Sequence, residues 1–526
     1  MDLTAAERER IRPYVTSVDA PVFALVNLPE TVKGALFARY SRSPKSLRRL
    51  LLDEFLDDVG DAPAGDAPGT ARADALYGRV LADYGDDSVA QLGSAHLAVE
   101  GVSNVLTKVL QWGRLASYLE QSTRYIAYTD RPGGHWRYHV PRELGAGSER
   151  EAAYRRTLDH AFEVYRDVRE AMVGYWDGVM PDGVERDAAQ QRAVRARALD
   201  SVRGLLPAAT TSNMGVMASG QAYEAMIVRL RAHPLAEARD VGDAALAALR
   251  HVIPAFLTRV DRPDRGERYG AYMAATTADT AARARALWPE PPAPAGDDVR
   301  LVDHDPDGEE RVVAHALWPH SGRPLADVRR AVAAMSAAER RDVLAAYRGP
   351  RRDRREKPGR ALEATTYTFD VVCDYGAYRD LQRHRLLSLQ VQPLSPHLGV
   401  AMPDEIAAAG QGDAYAGVMR ESAELYAALA GDLPDVAPYA VSLAHRVRFT
   451  MTLNAREAMH LIELRSQPQG HVSYRAVAQQ MQRAIDEVAG HHAIAEMMSF
   501  ADHSADALGR LAAERRTRPA STTLDA

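Results

Sequence analysis

The sequence contains a single cysteine among its 526 residues, Cys373. One cysteine cannot form a disulfide within the chain, and it excludes a metal site built from several thiolates. Cys373 follows Val371 and Val372 in an apolar run, with no adjacent cation that would lower the pKa of its thiol. We therefore expect Cys373 to be a buried structural residue rather than a nucleophile.

Long apolar segments are also absent. No run is long enough to cross a bilayer, and the charged N-terminus beginning Met1-Asp2-Leu3-Thr4 lacks the apolar region of a signal peptide. The net charge of -6 differs from the basic balance that is usual for general nucleic-acid binders. We expect a cytoplasmic protein with no membrane and no nucleic-acid partner.

Several common catalytic motifs are missing. The chain has no G-x-G-x-x-G dinucleotide loop, no phosphate loop ending in Gly-Lys-Ser/Thr, and no G-x-S-x-G elbow. His491, His492 and Glu496 could form one metal-binding face, because His492 and Glu496 are one helical turn apart. Because only His492 and Glu496 are one turn apart and no further ligand is in view, an ordinary helix face is the preferred interpretation, and we predict no metal site.

The length predicts more than one core. A chain of 526 residues exceeds an ordinary single domain, and 46% hydrophobic with 26% charged residues is typical of soluble globular proteins. Repeated prolines between Trp288 and Asp298 indicate a stiff spacer. We predict a first domain at residues 1–287, a linker at 288–300 and a second domain at 301–526.

The two halves repeat one pattern. Arg114 and Arg385 are 271 residues apart, and other polar residues around them align at the same offset. Further along, each half has a Leu-Arg pair, although the spacing differs there. The aligned residues are Gln111 with Gln382, Arg114 with Arg385, Ser117 with Ser388, and Leu230-Arg231 with Leu464-Arg465.

Local periodicity predicts helices ahead of both motifs. Apolar residues recur there at three- and four-residue steps, and Asp86-Asp87-Ser88 offers an N-cap in the first half. Short strands are predicted at residues 125–128 and at His139-Val140. The helical series are Val99, Val102, Leu106 and Leu110 in the first half, and Tyr367, Val371, Asp374, Tyr378 and Leu381 in the second.

Two polar clusters in the second half carry the chemistry. In Arg383-His384-Arg385, two cations flank an imidazole, an arrangement that is costly to bury without anionic partners. On a second predicted helix, Arg456 and His460 are neighbours at i and i+4. Asn454 and Arg465 are close to three full turns apart and share another face of that helix. Such a helix can present several polar groups to one large ligand.

Together these segments resemble the flavin-dependent thymidylate synthases. That family has the signature R-H-R-x-x-S-x-N-x-x-S-x-R, followed downstream by N-x-R and L-R. Residues 85–89 and 100–103 also resemble the family's G-H-x-S-V and E-G-V-S segments. The resemblance implies a helix-rich α+β fold, present as two tandem copies that form a pseudo-dimer. It also implies a homodimer of chains with pseudo-tetrameric symmetry.

The resemblance further implies the chemistry and its residues. The reaction would be the reductive methylation of deoxyuridylate (dUMP) to thymidylate, with FAD as cofactor and methylenetetrahydrofolate and NADPH as co-substrates. Arg465 would be catalytic, pairing with the uracil ring and stabilising negative charge that develops there. The flavin-binding residues would be Arg383, His384, Arg385, Asn454, Arg456 and His460, and the nucleotide-binding residues would be Glu120, Ser122, Arg124 and Arg465.

Each half departs from the family pattern at a different end. In the first half R-H-R has become Trp112-Gly113-Arg114, and N-x-R has become Gly220-Gln221-Ala222. In the second half the nucleotide end has become residues 391–395, which lack the acid and the arginine. We therefore expect two specialised halves that share one kind of site. The alternatives are a non-catalytic flavin- or nucleotide-binding homologue, and a related flavin- and folate-dependent enzyme that modifies pyrimidines.

Overall fold

The computed structural model describes residues 3–41, 43–56, 91–179, 188–296 and 298–504. The chain groups into two compact units. Unit 1 comprises Met1–Gln121, Pro141–Glu143 and Thr211–Pro289, and unit 2 comprises Ser122–Val140, Leu144–Thr210 and Glu290–Ala526. Unit 2 thus includes two segments that precede the proline-rich stretch. The division into sequence repeats at 1–287 and 301–526 stays a prediction.

Unit 1 is built around a three-stranded antiparallel sheet with the order β1-β3-β2. Alternate residues of β3 are buried, so one face of the sheet carries the core and is covered by helices α4, α7 and α8. The elements are α1 (Ala5–Ile11), α2 (Glu30–Tyr40), α3 (Leu47–Leu50), β1 (Ser94–Ser103), α4 (Asn104–Leu110), β2 (Ala116–Glu120), β3 (Thr211–Ser219), α7 (Gly220–Arg231), α8 (Ala236–Arg250) and α9 (Gly266–Leu287).

Unit 2 is built around a four-stranded antiparallel sheet with the order β4-β5-β7-β6. Tyr367, Phe369 and Phe449 are buried on this sheet, and helix α17 packs against β4 and β5. The elements are α5 (Glu149–Val179), α6 (Ala188–Val202), β4 (Asp298–His304), α10 (Gly308–Ser321), α11 (Leu325–Ala333), α12 (Ala337–Arg348), β5 (Thr366–Asp374), α13 (Tyr375–Leu381), β6 (Leu387–Val391), α14 (Asp404–Ala408), α15 (Gly412–Ala430), β7 (Arg446–Asn454), α16 (Ala455–Arg465), α17 (Val472–Glu487) and α18 (His492–Met497).

Four strands pass directly into a helix through a polar N-cap. The cap side chain accepts a hydrogen bond from a backbone N–H of the first helical turn, which satisfies a donor that the helix leaves unpaired. The caps are Ser103 before α4, Ser219 before α7, Asp374 before α13 and Asn454 before α16. Ser219 therefore stands at the cap position that Asn454 occupies, one residue earlier than the Gly220-Gln221-Ala222 alignment placed it.

The predicted helices ahead of the motifs were only partly right. Val99 and Val102 lie in β1, and Tyr367 and Val371 lie in β5, so helix begins only at Asn104 and Tyr375. In β1 a bulge between Val99 and Val102 shifts the pairing register, so both valines are buried although they are three residues apart. In β5 a spacing of four is also a multiple of the two-residue strand period.

The two short strand predictions were wrong. Residues 125–128 form a turn and an irregular segment, with the Tyr125 N–H donating to the Ser122 carbonyl. His139 and Val140 are outside any strand, and only the preceding Tyr138 forms an isolated bridge, to Thr210. The predicted N-cap at Asp86-Asp87-Ser88 lies outside the described residues.

The helix-rich α+β class is confirmed by these elements. Throughout the described ranges, no helix combines the length and the apolar character that a membrane span requires. Cys373 is buried in β5, as predicted.

The burial of Cys373 generates a stability prediction. Cys373→Ala should lower the free energy of unfolding by about 1 kcal/mol, because it removes one buried atom beyond Cβ. Cys373→Asp should lower the free energy of unfolding several times more, because it buries a carboxylate at a site that evolved for a thiol. Chemical denaturation of both variants beside the natural protein measures the difference, and equal stabilities for the two variants would contradict a buried Cys373.

Candidate functional site

The Arg383-His384-Arg385 motif lies in the turn between α13 and β6. Its three side chains have different surroundings. Arg383 and Arg385 are exposed or half-exposed, whereas His384 is buried. Both ring nitrogens of His384 are bonded: Nδ1 lies 2.9 Å from Oε1 of Glu457, and Nε2 lies 3.0 Å from Nε of Arg465. His384 is therefore an internal connector of this site.

Helix α16 supplies both partners of His384. Asn454 caps the helix by accepting a hydrogen bond from the Glu457 N–H at 2.9 Å, so its amide oxygen satisfies a donor at the helix N-terminus. Glu457 lies in the first turn and Arg465 is the last residue. The His384 ring thus contacts side chains from both ends of one helix.

The remaining residues predicted on this helix lie on its partly exposed face. Arg456 donates through Nε to the Pro358 carbonyl at 3.0 Å and lies 3.6 Å from Glu363. His460 packs edge-on against His384, with ring centroids 5.3 Å apart. Burial, the largest influence, lowers the pKa of His460 to about 4, so its imidazole is neutral near pH 7.

Arg124, predicted to bind the nucleotide phosphate, is buried in unit 2 and heavily bonded. Its Nε and Nη2 form a two-pronged pair with Asp200 at 2.6 and 2.9 Å. Nη1 donates to the Tyr474 hydroxyl at 2.7 Å, and Nη2 also donates to the Gln469 carbonyl at 3.1 Å. The planar guanidinium is thereby held in one orientation.

Tyr474 on α17 brings two predicted site residues together. The guanidinium carbons of Arg124 and Arg465 lie 5.6 and 5.5 Å from the centre of its ring, within cation–π range. Arg465 differs from Arg124 in its remaining donors. In the part of the chain that the structure describes, no hydrogen bond uses Nη1 or Nη2 of Arg465. Arg465 therefore has donors to offer a ligand.

A buried carboxylate balances these cations. Asp380 on α13 lies 3.4 Å from Nη1 of Arg203 and 3.6 Å from Nη1 of Arg383. Burial opposes its ionisation, but the cations Arg383, Arg203, Arg465 and Arg124 together lower the pKa of Asp380 to about 2. Two guanidinium groups thus contact Asp380 and two more act on it electrostatically, and such a concentration of positive charge is suited to an anionic ligand.

The two other residues predicted to bind the nucleotide have separate surroundings. Glu120 is buried at the end of β2 in unit 1, where it bonds Nζ of Lys108 at 2.9 Å and Nε2 of Gln111 at 2.8 Å. Ser122, the first residue of unit 2, accepts a hydrogen bond from the Arg124 N–H at 3.2 Å. Ser122 thus supports the turn that carries Arg124.

His384, Glu457 and His460 have ligand atoms within 4.8 Å of one another, a spacing that a metal ion could use. The hydrogen bonds argue against that use. Because Arg465 donates to Nε2, neutral His384 carries its proton on Nδ1, so no lone pair on Nδ1 faces Glu457. Of the other candidates, His491 bonds the Tyr367 hydroxyl and His492 bonds Asp486.

Several residues of the site escaped the sequence analysis. Glu457 and Asp380 had a signal, because Glu457 lies between Arg456 and His460 and Asp380 lies one turn before Arg383. Asp200, Arg203 and Tyr474 had none, because each meets the site only through tertiary packing.

The chain matches one protein family along most of its length and has curated relatives in bacteria. The sequence model of the thymidylate synthase complementing protein family matches residues 35–255 and 300–491. A UPF0159 protein of Chlamydia muridarum is 35% identical over 525 residues, which cover 98% of this chain and 99% of that protein. A flavin-dependent thymidylate synthase of Nitratidesulfovibrio vulgaris is 26% identical over 175 residues, covering 33% of this chain and 63% of that protein.

Among solved structures, a UMP/dUMP methylase from Streptomyces cacaoi bound with 5-Br dUMP aligns with part of the chain. The alignment covers 40% of this chain and 99% of that one, with 19% identity and a TM-score of 0.31.

The buried histidines generate a pH prediction. His471 is buried and bonded to the Asp200 carbonyl, and burial is the main reason why its pKa falls to about 3. The unfolded chain therefore binds a proton more readily than the folded chain below about pH 6.5, so stability is complete above that pH and is lost on acidification. Between pH 7 and pH 5 the free energy of unfolding of the natural protein should fall, and about 2 kcal/mol of that fall should be absent in His471→Asn.

Denaturant unfolding at the two pH values measures this dependence. The exposed His320, changed to Asn, is the matched control and should leave it unaltered. An acid dependence in His471→Asn equal to that of the natural protein would contradict the prediction.

Proposed function

Because the chain belongs to the family of thymidylate synthase complementing proteins, we propose that it is a flavin-dependent enzyme that methylates deoxyuridylate to thymidylate. Methylenetetrahydrofolate would supply the carbon and NADPH the reducing equivalents. The observation that carries the proposal is the meeting of Arg124 and Arg465 at Tyr474. One arginine comes from the nucleotide-type motif and the other from the flavin-type motif, and both lie in unit 2.

The nucleotide is proposed to bind among the four arginines around Asp380. Arg465 has unused donors and would pair with the uracil ring, where it would stabilise negative charge as it develops. Arg203 lies 3.4 Å from Asp380 and 3.6 Å from Asp374, and within the described residues its Nε and Nη2 have no hydrogen-bond partner, so Arg203 can add contacts to an anionic ligand. Arg124, held by Asp200, would present a fixed positive charge near the phosphate.

The residues around Arg383 fit a flavin in part. Arg383, Arg385, Arg456 and His460 all reach the surface, and three permanent cations suit the diphosphate of FAD. His384 does not fit as a direct flavin ligand, because it is buried and both of its nitrogens are bonded. A bound reduced flavin would supply hydride and carry the one-carbon unit.

Unit 1 is proposed to be a diverged copy that holds no flavin. In the loop motif, Trp112 and Gly113 replace Arg383 and His384 of unit 2. In the following helix, α7 has Gln221 and Ala225 at the positions that Arg456 and His460 occupy in α16, counted from the N-caps. Arg231 ends that helix and is paired with Asp243 at 2.8 Å. Tandem duplication of one fold, and pairing of two chains into a homodimer, remain part of this proposal.

One consequence concerns flavin stoichiometry. The protein should bind about one FAD per chain, and Arg383→Ala should weaken that binding roughly ten- to a hundredfold, since a charge-assisted contact contributes about 1.5–3 kcal/mol. Arg114→Ala, which changes the corresponding motif of unit 1, should leave FAD affinity unchanged. Titration followed by flavin fluorescence tests this, and binding of two equivalents would be incompatible with the proposed specialisation.

A second consequence concerns deoxyuridylate. Arg465→Ala should weaken its binding and also reduce turnover, because Arg465 is proposed to face the developing charge. Arg124→Ala should weaken binding while leaving flavin content near normal. Arg231→Ala, the matched change in unit 1, should leave both nearly intact.

Calorimetric binding of deoxyuridylate and an assay of thymidylate formation with FAD, NADPH and methylenetetrahydrofolate separate these outcomes. Equal losses in Arg231→Ala and Arg465→Ala would refute the division of labour. Cys373→Ala should retain turnover, because no thiol attack on the pyrimidine is proposed. Binding without product would favour a non-catalytic homologue, and a different product would favour a related pyrimidine modification.

A further inference from the structure

Glu457, His384 and Arg465 form a continuous hydrogen-bonded row. The carboxylate lies 2.9 Å from Nδ1 of the imidazole, and the guanidinium Nε lies 3.0 Å from Nε2 on the other side of the ring. Glu457 and His384 are buried, at 5% and 7% exposure, so the bond between them is shielded from water, whereas the bond from Arg465 is partly buried. The row joins the first turn of α16 to its last residue through the His384 ring, which belongs to the loop between α13 and β6.

The chemistry of the three groups sets the direction of every bond. An arginine Nε can only donate, so Nε2 of His384 must accept. The proton of the neutral ring therefore resides on Nδ1 and is donated to Glu457. If His384 carried its proton on Nε2, two N–H groups would face each other and the Arg465 contact would be lost. Glu457 thus selects the tautomer that Arg465 requires.

The surroundings of His384 favour its neutral form. Burial first, and then the cations Arg465 and Lys357, lower the pKa of His384 well below its usual value, while Asp380 acts in the opposite direction. His460 adds a second imidazole edge-on to the ring. A neutral His384 leaves the positive charge of the row entirely on Arg465.

We propose that Glu457 and His384 are positioning residues for Arg465. Fixing Nε restricts the rotation of the guanidinium and leaves Nη1 and Nη2 directed to a ligand in one orientation. A preorganised donor binds developing charge without first losing conformational freedom. The identity of that ligand rests on the proposed function, whereas the row itself does not. His384 then belongs to the motif through Arg465 and not through contact with a flavin.

The first test examines the row directly. Nitrogen NMR of the full chain labelled with ¹⁵N-histidine, with His384→Gln used to assign the signal, reports the tautomer of His384. The expected result is the neutral Nδ1–H form, unchanged from pH 8 to pH 5.5. An Nε2–H tautomer, or a charged ring at pH 6, would overturn the proposal. This measurement needs neither flavin nor activity.

The second test examines the consequence for Arg465. Glu457→Gln keeps an oxygen that accepts from Nδ1, whereas Glu457→Leu removes it. Deoxyuridylate affinity should stay within about threefold of the natural protein in Glu457→Gln and fall at least tenfold in Glu457→Leu. Exposed Glu487→Gln is the control. Thermal melting of each variant without nucleotide distinguishes lost positioning from lost folding.

The outcomes separate the two proposals. Affinities equal to that of the natural protein in both Glu457→Gln and Glu457→Leu, with both folded, would overturn the positioning role. If the natural protein shows the Nδ1–H tautomer but binds no deoxyuridylate, the proposed function fails while the row stands. A matching loss in both variants would show that the charge of Glu457, and not its hydrogen bond, holds Arg465, which also contradicts the tautomer argument.

Discussion

The hydrogen bond between His384 and Arg465 is the interaction on which the site depends. It is made possible by the bond on the other side of the ring, where Nδ1 donates to Glu457. A loop after α13 and a helix after β7 are thereby held in one arrangement. These elements are adjacent because β5, β7 and β6 are hydrogen-bonded neighbours in the sheet of unit 2. The sheet thereby places the loop that carries His384 beside α16, and the imidazole bonds two side chains of that helix.

The charges around this row constrain the rest of unit 2. Arg124, Arg203, Arg383 and Arg465 all act electrostatically on Asp380, and buried carboxylates offset the repulsion among such cations. Asp200 holds Arg124 with two hydrogen bonds, and the four cations together lower the pKa of Asp380 to about 2 against the effect of its burial. Arg124 and Asp200 come from segments that precede the proline-rich stretch, which explains why unit 2 includes those segments. A compact cationic site therefore required chain from both halves of the sequence.

Motif spacing was informative where the residues act within one element. The Arg456–His460 pair and the helix ending at Arg465 could be predicted, because helical geometry relates such residues directly. Periodicity was less informative for the segments before the motifs. The bulge in β1 buried two valines three residues apart, and a four-residue spacing in β5 satisfied strand and helix equally. These segments form strands because β1 pairs with β3 and β5 pairs with β7.

The helix-rich α+β class, the burial of Cys373 and the motifs that could carry chemistry were predictable from composition and local spacing, because both act on neighbouring residues. The contacts of each motif residue depend instead on the folded arrangement of the elements. It placed His384 inside the protein as a connector, joined Arg124 to Asp200, and set both site arginines against Tyr474. These contacts join residues far apart in the chain, and their partners follow from strand order and helix packing, which no local pattern encodes.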